Sequence, residues 1–321
     1  MIDSIETKID STFLVDVLEG LRSNPKRLSS KYFYNEVGDQ LFQKIMKLEE
    51  YYLTNAEHEI FQSRKEEILK AFSPNGEAFN LVEFGAGDGY KTKVLLKHFI
   101  TEKADFEYMP IDISAHALEG LEENLKLEIP ELKISPLQGD YFQVLDELSH
   151  SSSKRNIILF LGSNIGNFTT NQAINFLSQI RKDINPNDLL FIGIDLKKDP
   201  DTILAAYNDK EGVTAEFNLN LLRRINCELD ADFDVSKFRH YPHYNADTGE
   251  CKSSLISLVD QEVTIAGERI HLKQWESIQT EISKKYDLQE IEFLAKKCGF
   301  VVDQHLEDDR GYFVDSIWRA V

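Results

Sequence analysis

The chain has 321 residues, 42% of them hydrophobic, which suits one large domain or two interlocked ones with a sizeable core. A formal net charge of −19 would repel polyphosphate backbones, and three cysteines without CxxC or metal-ligand spacing argue against a disulfide framework and a zinc site. Apolar runs are far shorter than the ~20 residues of a membrane span, and charges throughout 1–19 argue against a signal peptide. We therefore expect a cytoplasmic monomer that binds no nucleic acid, metal or membrane.

Helical patterns occupy the first part of the chain. Apolar residues recur every three or four positions from Ser11 to Ser23. The stretch Thr54-Asn-Ala-Glu57 matches a capping box, which predicts a helix that starts there and ends near Phe72.

Short apolar strands then alternate with helices. The predicted elements are strand 79–84, helix 91–100, strand 107–111, helix 114–127, strand 133–137, strand 156–161, helix 170–182 and strand 188–194. Such alternation predicts a parallel sheet with helices on both faces.

The pattern changes after Asp195. Helices are predicted near 199–208 and 213–229, followed by alternating stretches typical of an antiparallel sheet at 238–244, 252–259, 261–265 and 268–280. A helix at 287–298 and strands at 300–307 and 312–320 return to the first pattern. The sequence therefore predicts a discontinuous sheet domain, 61–197 plus 286–321, and an accessory domain, 1–60 plus 198–285.

A glycine-rich turn follows the first predicted strand of the sheet domain. From Glu83 to Thr92 the sequence is Glu-Phe-Gly-Ala-Gly-Asp-Gly-Tyr-Lys-Thr, and a helix begins there. Glycines let a ligand approach the backbone closely. The every-second-residue spacing departs from the GxGxxG of dinucleotide sites, and Tyr90 stands where a P-loop needs glycine before lysine. The turn therefore favours S-adenosylmethionine.

Acidic residues also follow the next two predicted strands. Asp112 could accept hydrogen bonds from ribose hydroxyls, and Asp140 could accept from an adenine amino group. Singly, such residues are more often loop or cap residues, but with Glu83 three of them lie at successive strand ends. The candidate cofactor-binding residues are Glu83, Gly85, Gly87, Lys91, Asp112, Asp140 and Tyr141.

The turn from Gly162 to Asn167 follows the fourth predicted strand. In a doubly wound sheet the ligand crevice lies beyond the carboxyl ends of the strands, so this turn should face the methyl group and its acceptor. Asn167 can donate and accept hydrogen bonds there. The alternative is that Asn167 caps the helix that begins near Thr169.

A series of stretches identifies a family. They are Lys31-Tyr-Phe-Tyr34-Asn with Gly38 and Leu41-Phe42, Leu48 to Thr54, Glu83 to Thr92, Phe160 to Asn167, Asp195 to Asp199, Ala206 to Asp209, and Gly212 to Ala215 with Phe217-Asn218. The chain that carries them resembles the histidine Nα-methyltransferases of ergothioneine biosynthesis. The resemblance implies an α/β fold, a class I methyltransferase Rossmann-like doubly wound sheet with an inserted α+β substrate-binding domain. It also implies S-adenosyl-L-methionine as cofactor, S-adenosyl-L-homocysteine as its product, and three methylations of the L-histidine α-amine to the betaine, hercynine.

The resemblance implies roles for residues at matching positions. Asn167 and Tyr207 would hold the substrate α-carboxylate, Tyr51 would lie near the imidazole, and Tyr34 and Phe42 would line the amine end. Aromatic rings can still bind the amine after it has lost its N–H donors, contributing roughly 0.5–2 kcal/mol. The Tyr34 hydroxyl could relay the departing proton, so Tyr34 and Asn167 are the candidate catalytic residues. Without the resemblance these aromatic residues would be taken as core.

The polar end of the implied substrate site comes from Thr280-Glu281-Ile-Ser283, which matches the family stretch that binds the imidazole. Alternation puts Glu281 and Ser283 on one strand face, and a solvated edge strand is the alternative. Ser253 stands where mycobacterial-type members carry methionine, which keeps open a different small amino acid or amine as substrate. A non-catalytic cofactor-binding module is the other alternative. The candidate substrate-binding residues are Tyr34, Phe42, Tyr51, Gly162, Asn167, Tyr207, Ser253, Glu281 and Ser283.

Overall fold

A computed structural model describes residues 11–112, 114–151 and 154–321, so the expectation about a signal peptide at 1–19 lies partly outside the described residues. The chain divides into two compact units. The Rossmann unit comprises Leu53–Lys198 and Lys284–Val321, and the accessory unit comprises the residues up to Tyr52 and Asp199–Ser283. Residues 53–60, which the sequence pattern assigned to the accessory domain, thus lie in the Rossmann unit. Among the described helices, none is both long and apolar enough to cross a membrane.

One sheet forms the centre of the Rossmann unit. Its strands are β2 (Phe79–Phe84), β3 (Phe106–Asp112), β4 (Leu137–Gln138), β5 (Arg155–Phe160), β6 (Leu189–Asp195), β12 (Phe300–Glu307) and β13 (Phe313–Ala320). They lie in the order β12-β13-β6-β5-β2-β3-β4. From β2 to β6 the neighbours pair in parallel, whereas β13 is antiparallel to both β6 and β12. This confirms the predicted doubly wound sheet, whose winding reverses between β2 and β5.

Helices cover both faces of this sheet. One face carries α3 (Tyr52–Phe72), α4 (Thr92–Thr101) and α5 (Ala115–Glu128), and the other carries α6 (Tyr141–Ser151), α7 (Thr170–Lys182) and α10 (Leu288–Lys297). Every residue of β2 is buried, because Leu81 packs into one layer and Val82 into the other. A strand covered on both faces buries all its side chains, so the two polar residues of β2, Asn80 and Glu83, are hydrogen-bonded to other side chains.

The accessory unit has its own sheet and core. The described helices are α1 (Ser11–Arg22), α2 (Glu36–Ile45), α8 (Pro200–Ala206) and α9 (Val213–Glu228), and the sheet contains β1 (Lys26–Arg27), β7 (Phe238–Asn245), β8 (Glu250–Ser257) and β11 (Ser277–Lys284). Its order is β1-β11-β8-β7, and β9 (Gln261–Ile265) and β10 (Glu268–Leu272) form a separate hairpin. Phe217 and Leu221 of α9 share a buried core with Leu255 and Ile278 of the sheet. A face of this sheet therefore packs on α9.

Three local predictions are wrong. The strand predicted over 133–137 is replaced by the two-residue β4, Leu137–Gln138. Helix α3 begins at Tyr52 rather than at Thr54, because Tyr52 and Leu53 are buried and packing extends the helix beyond the capping-box pattern. Glu57 consequently has no capping role. The single strand predicted over 268–280 is two strands, since the chain turns at Trp275, whose φ is +70°.

Candidate active site

The glycine-rich turn connects β2 to α4 at the point where the sheet reverses its winding. Gly85 and Gly87 have φ values of +63° and +57°, a left-handed region that favours glycine. A Cβ atom on Gly87 would meet no atom within 4 Å, so the space beside the turn is open. The Gly85 N–H donates to the Ile111 carbonyl at 3.2 Å and ties the turn to β3. The turn is therefore held firmly and lets a ligand reach the backbone.

Glu83 lies beneath this turn. Its Oε1 accepts a hydrogen bond from the Thr92 hydroxyl at 2.8 Å, and its Oε2 accepts one from the Tyr108 hydroxyl at 2.5 Å. Burial raises the pKa of Glu83, although both donors oppose that shift. Because the protein itself engages both oxygens, Glu83 supports the turn, and its predicted contact with the cofactor stays a prediction.

Asp112 and Asp140 lie at the ends of β3 and β4. Asp112 Oδ1 accepts from the Ser114 N–H at 2.8 Å, and Asp140 Oδ1 accepts from the Phe142 N–H at 3.0 Å. For the second oxygen of each carboxylate, the described residues provide no hydrogen-bond partner. Each carboxylate is thus oriented by the backbone and keeps an acceptor for a ligand hydroxyl or amino group.

Tyr141 lies where these turns meet. Its ring stacks on Phe84, with ring centroids 4.4 Å apart and an interplanar angle of 2°. A Cβ on Gly85 would lie 3.2 Å from its hydroxyl. Burial, followed by the charges of Asp112 and Asp140, raises the pKa of Tyr141 to about 12. The structure thus brings the glycine turn and both aspartates to a common edge, which fits a nucleoside cofactor.

Lys91 extends from the glycine turn toward the turn that follows β5. Its ammonium forms an ion pair with Glu57, whose Oε1 accepts the Gly162 N–H at 2.7 Å. A Cβ on Gly162 would lie 3.4 Å from the Lys91 Nζ. Glu57 is fully buried on α3, and sequence analysis missed it because its spacing matched a helix cap.

Asn167 ends a short 3-10 helix, Asn164–Asn167, in the turn after β5. This turn is anchored by Ser163, whose hydroxyl oxygen accepts the Asp195 N–H at 3.0 Å. The N-cap of α7 is Thr169, which forms a full capping box. The capping alternative for Asn167 is therefore excluded, and its exposed amide is available to a ligand.

The aromatic candidates of the accessory unit form one group. The ring centroids of Tyr34 and Phe42 are 5.6 Å apart, and those of Phe42 and Tyr51 are 6.3 Å apart. Phe217 completes the group at 5.8 Å from Tyr34 and 5.9 Å from Phe42. Sequence analysis did not select Phe217 for the site, although it lies in one of the stretches that carry the family resemblance.

Tyr34 is 48% exposed, although its ring packs in this aromatic group. Burial, followed by the charges of Glu281 and Asp39, raises the pKa of Tyr34 well above its usual value. The hydroxyl is therefore neutral at physiological pH, so it can donate and accept hydrogen bonds but is a poor base.

The polar candidates lie together on the accessory sheet. The Ser253 hydroxyl donates to Glu281 Oε2 at 3.2 Å, and the Tyr207 hydroxyl donates to the Ser283 oxygen at 2.7 Å. Strand β11, which carries Glu281 and Ser283, lies between β1 and β8. Ser283 is buried, which excludes a fully solvated strand there, and these side chains form a polar surface within the accessory unit.

Comparisons with known proteins identify the family of the chain. A family model described as histidine-specific methyltransferase, SAM-dependent, matches residues 13–320. The histidine N-alpha-methyltransferase of Mycolicibacterium smegmatis is 36% identical over 273 residues, 84% of this chain and 83% of that protein. The one from Mycobacterium tuberculosis is 38% identical over 231 residues, 72% of this chain and 70% of that protein. Ergothioneine biosynthesis protein 1 of Neurospora crassa is 33% identical over 302 residues, 92% of this chain and 33% of that protein.

The fold and the strand-end site define an S-adenosylmethionine-dependent methyltransferase of class I. The chain belongs to the histidine-specific, SAM-dependent methyltransferase family, since the family model matches nearly its whole length. The alternative of a non-catalytic binding module is therefore set aside.

Proposed function

We propose that this enzyme methylates the α-amine of L-histidine three times to form hercynine, as in ergothioneine biosynthesis. The observation that carries the proposal is the pairing of Glu281 with Ser253 beside Ser283 on the accessory sheet. This arrangement offers a carboxylate and a hydroxyl to an imidazole ring. The histidine N-alpha-methyltransferases among its relatives support the same substrate.

Selection of histidine follows from the chemistry of these groups. The Glu281 carboxylate would accept an imidazole N–H, and the Ser253 hydroxyl, itself 1% exposed, orients that carboxylate. A site built to bond a substrate N–H rejects side chains that lack it, because the protein group would otherwise stay unpaired. Ser253, which stands in place of methionine, would thus orient the Glu281 carboxylate by a hydrogen bond as well as enlarge the pocket.

The amine end must accept a group that changes from an ammonium to a quaternary cation. The aromatic group of Tyr34, Phe42, Tyr51 and Phe217 offers ring faces that attract a cation after its N–H donors are gone. Asn167 and Tyr207 would hold the α-carboxylate, which both methylated and unmethylated forms retain.

The cofactor end lies at the strand ends of the Rossmann unit. S-adenosylmethionine supplies an electrophilic methyl group when it is bound. Asp112 would accept from the ribose hydroxyls and Asp140 from the adenine amino group, while Lys91 offers a cation to the carboxylate of the cofactor. The open space beside Gly87 lets the cofactor approach the backbone.

Catalysis in this proposal is chiefly positioning, which can supply roughly 7–11 kcal/mol when two reactants are aligned. A proton must leave the ammonium before it can accept a methyl group. Tyr34 stays protonated, so it would pass that proton to water through its hydroxyl rather than hold it. No metal contributes to this scheme.

A methyl-transfer assay against the twenty amino acids, read by mass spectrometry, tests the proposal. We expect histidine alone to gain one, two and then three methyl groups. Greater kcat/KM for another aromatic amino acid would contradict it and favour the alternative substrate. We further propose a cytoplasmic monomer without nucleic-acid affinity, which light scattering and a filter-binding assay would check.

A further inference from the structure

A buried carboxylate outside the predicted site joins two functional turns of the Rossmann unit. Glu57 Oε2 pairs with the Lys91 ammonium, and Glu57 Oε1 accepts the Gly162 N–H at 2.7 Å. Lys91 belongs to the turn after β2, and Gly162 to the turn after β5. One side chain on α3 thus links the two turns on either side of the winding reversal.

The sheet leaves room for this carboxylate. A Cβ on Gly193 of β6 would lie 2.1 Å from Glu57 Oε1, which is too short for two nonbonded atoms. Any residue other than glycine at this position would therefore displace Glu57. Burial of a carboxylate is unfavourable unless it is paired and hydrogen-bonded, and here both requirements are met.

A second buried acid lies beside the first. Asp315 pairs with Gly193 across β13 and β6, and its Oδ1 would be 3.1 Å from the same Cβ. In the described part of the chain neither of its oxygens has a hydrogen-bond partner. Burial, followed by the charge of Glu57, raises the pKa of Asp315 well above its usual value. Among the described residues, the ion-pair partner of Lys91 is Glu57.

We infer that Glu57 is a positioning residue that aims the Lys91 ammonium at the cofactor and holds the backbone of Gly162 in place. A lysine side chain has a flexible four-carbon stem, and a fixed carboxylate restricts it to one orientation. The inference rests on the proposed role of Lys91 in cofactor binding and adds a residue that acts through it.

The variant Glu57→Gln tests this role. Glutamine keeps the size and an acceptor for the Gly162 N–H but removes the charge opposite Lys91. We expect the Kd for S-adenosylhomocysteine, measured by calorimetry, to rise roughly tenfold or more. The reason is that Lys91 loses the charged hydrogen bond with Glu57 that orients its ammonium. The KM for histidine should change far less. Glu66→Gln, on the exposed side of the same helix, is the matched control and should leave both constants unchanged.

A double-mutant cycle separates positioning from mere stability. Lys91→Met alone leaves Glu57 as an unpaired buried anion, so its unfolding temperature should fall. Adding Glu57→Gln should restore most of that loss, while cofactor affinity stays no weaker than in Lys91→Met. Rescue of stability without rescue of binding is the signature of a residue that acts through Lys91.

Two results would overturn the inference. The first is a Glu57→Gln variant with unchanged affinity for S-adenosylhomocysteine. The second is an equal loss of cofactor and histidine binding together with a lower unfolding temperature, which indicates a structural role only. If the wild-type protein did not methylate histidine, the proposed substrate would be wrong, but the calorimetry would still test Glu57 because it uses no histidine.

Discussion

The two units offer two kinds of candidate site. In the Rossmann unit the candidates follow consecutive strands: the glycine turn follows β2, Asp112 ends β3, Asp140 follows β4 and the turn of Gly162 follows β5. In the accessory unit they come from a loop, from α2, from the end of α8 and from two sheet strands. The candidates of the Rossmann unit are thus ordered along the chain, whereas those of the accessory unit come from distant segments.

The difference agrees with the ligand proposed for each region. Strand-end turns present backbone and short acidic side chains, which suit the ribose and adenine of a common cofactor. The accessory unit presents aromatic rings and a paired carboxylate, which suit one side chain and one amine. Variants of Asp112 or Asp140 and variants of the accessory residues should therefore separate cofactor binding from substrate binding.

The largest effect is expected at Asn167, which belongs to the Rossmann unit but is proposed to bind the substrate. Asn167→Ala should raise the KM for histidine roughly 100-fold, because a hydrogen bond to a carboxylate is lost, and should leave cofactor affinity nearly intact. Steady-state kinetics and calorimetry measure the two quantities. Asn171→Ala, on the exposed part of α7, is the control. Unchanged values for both ligands would show that the carboxylate assignment is wrong.

A smaller effect, confined to the cofactor, is expected at Asp112. Asp112→Asn should raise the Kd for S-adenosylhomocysteine roughly tenfold, since an amide is a weaker acceptor for ribose hydroxyls. The KM for histidine should stay the same. Asp105→Asn, an exposed position just before β3, is the matched control. A change in histidine KM alone would contradict the division between the units.

Phe42 tests whether the aromatic group binds the methylated amine. Phe42→Leu keeps an apolar side chain but removes the ring face, so the last methylation should slow about threefold to tenfold. Dimethylhistidine should then accumulate in a time course followed by mass spectrometry. Phe293→Leu, at an exposed ring on α10, is the control. Equal slowing of all three methylations would argue against a cation-binding role.

The effect least connected with catalysis is the pH dependence of stability at Asp315. Its folded-state pKa is raised above the unfolded value near 3.9, so the folded state binds the proton more tightly and stability falls as pH rises through that window. Asp315→Asn removes this titration. As the pH rises above the unfolded value, the wild type should therefore lose stability more steeply than the variant.

Urea unfolding at several pH values measures this difference. Asp309→Asn, at an exposed position in the turn between β12 and β13, is the control and should follow the wild type. Parallel curves for Asp315→Asn and the wild type would mean that Asp315 is charged in the folded protein.

The sequence by itself determined the alternation of strands and helices, the glycine turn at Gly85 and the acidic residues at Asp112 and Asp140. These features depend on local periodicity and on turn chemistry, which neighbouring residues specify. Residues of the accessory unit such as Tyr34 and Glu281 could be selected only through the family resemblance, because an aromatic or acidic residue in isolation suits a core or a surface equally well.

Only the tertiary structure showed the surroundings of Glu57, Asn167 and Asp315. Local spacing assigned Glu57 to a helix cap, but its hydrogen-bond partner Gly162 lies 105 positions away along the chain. The capping box of Thr169 shows that Asn167 does not cap α7. Asp315 is buried because it pairs with Gly193 in the middle of the sheet. Burial and pairing of charges depend on segments that meet only after folding, so local sequence patterns cannot predict them.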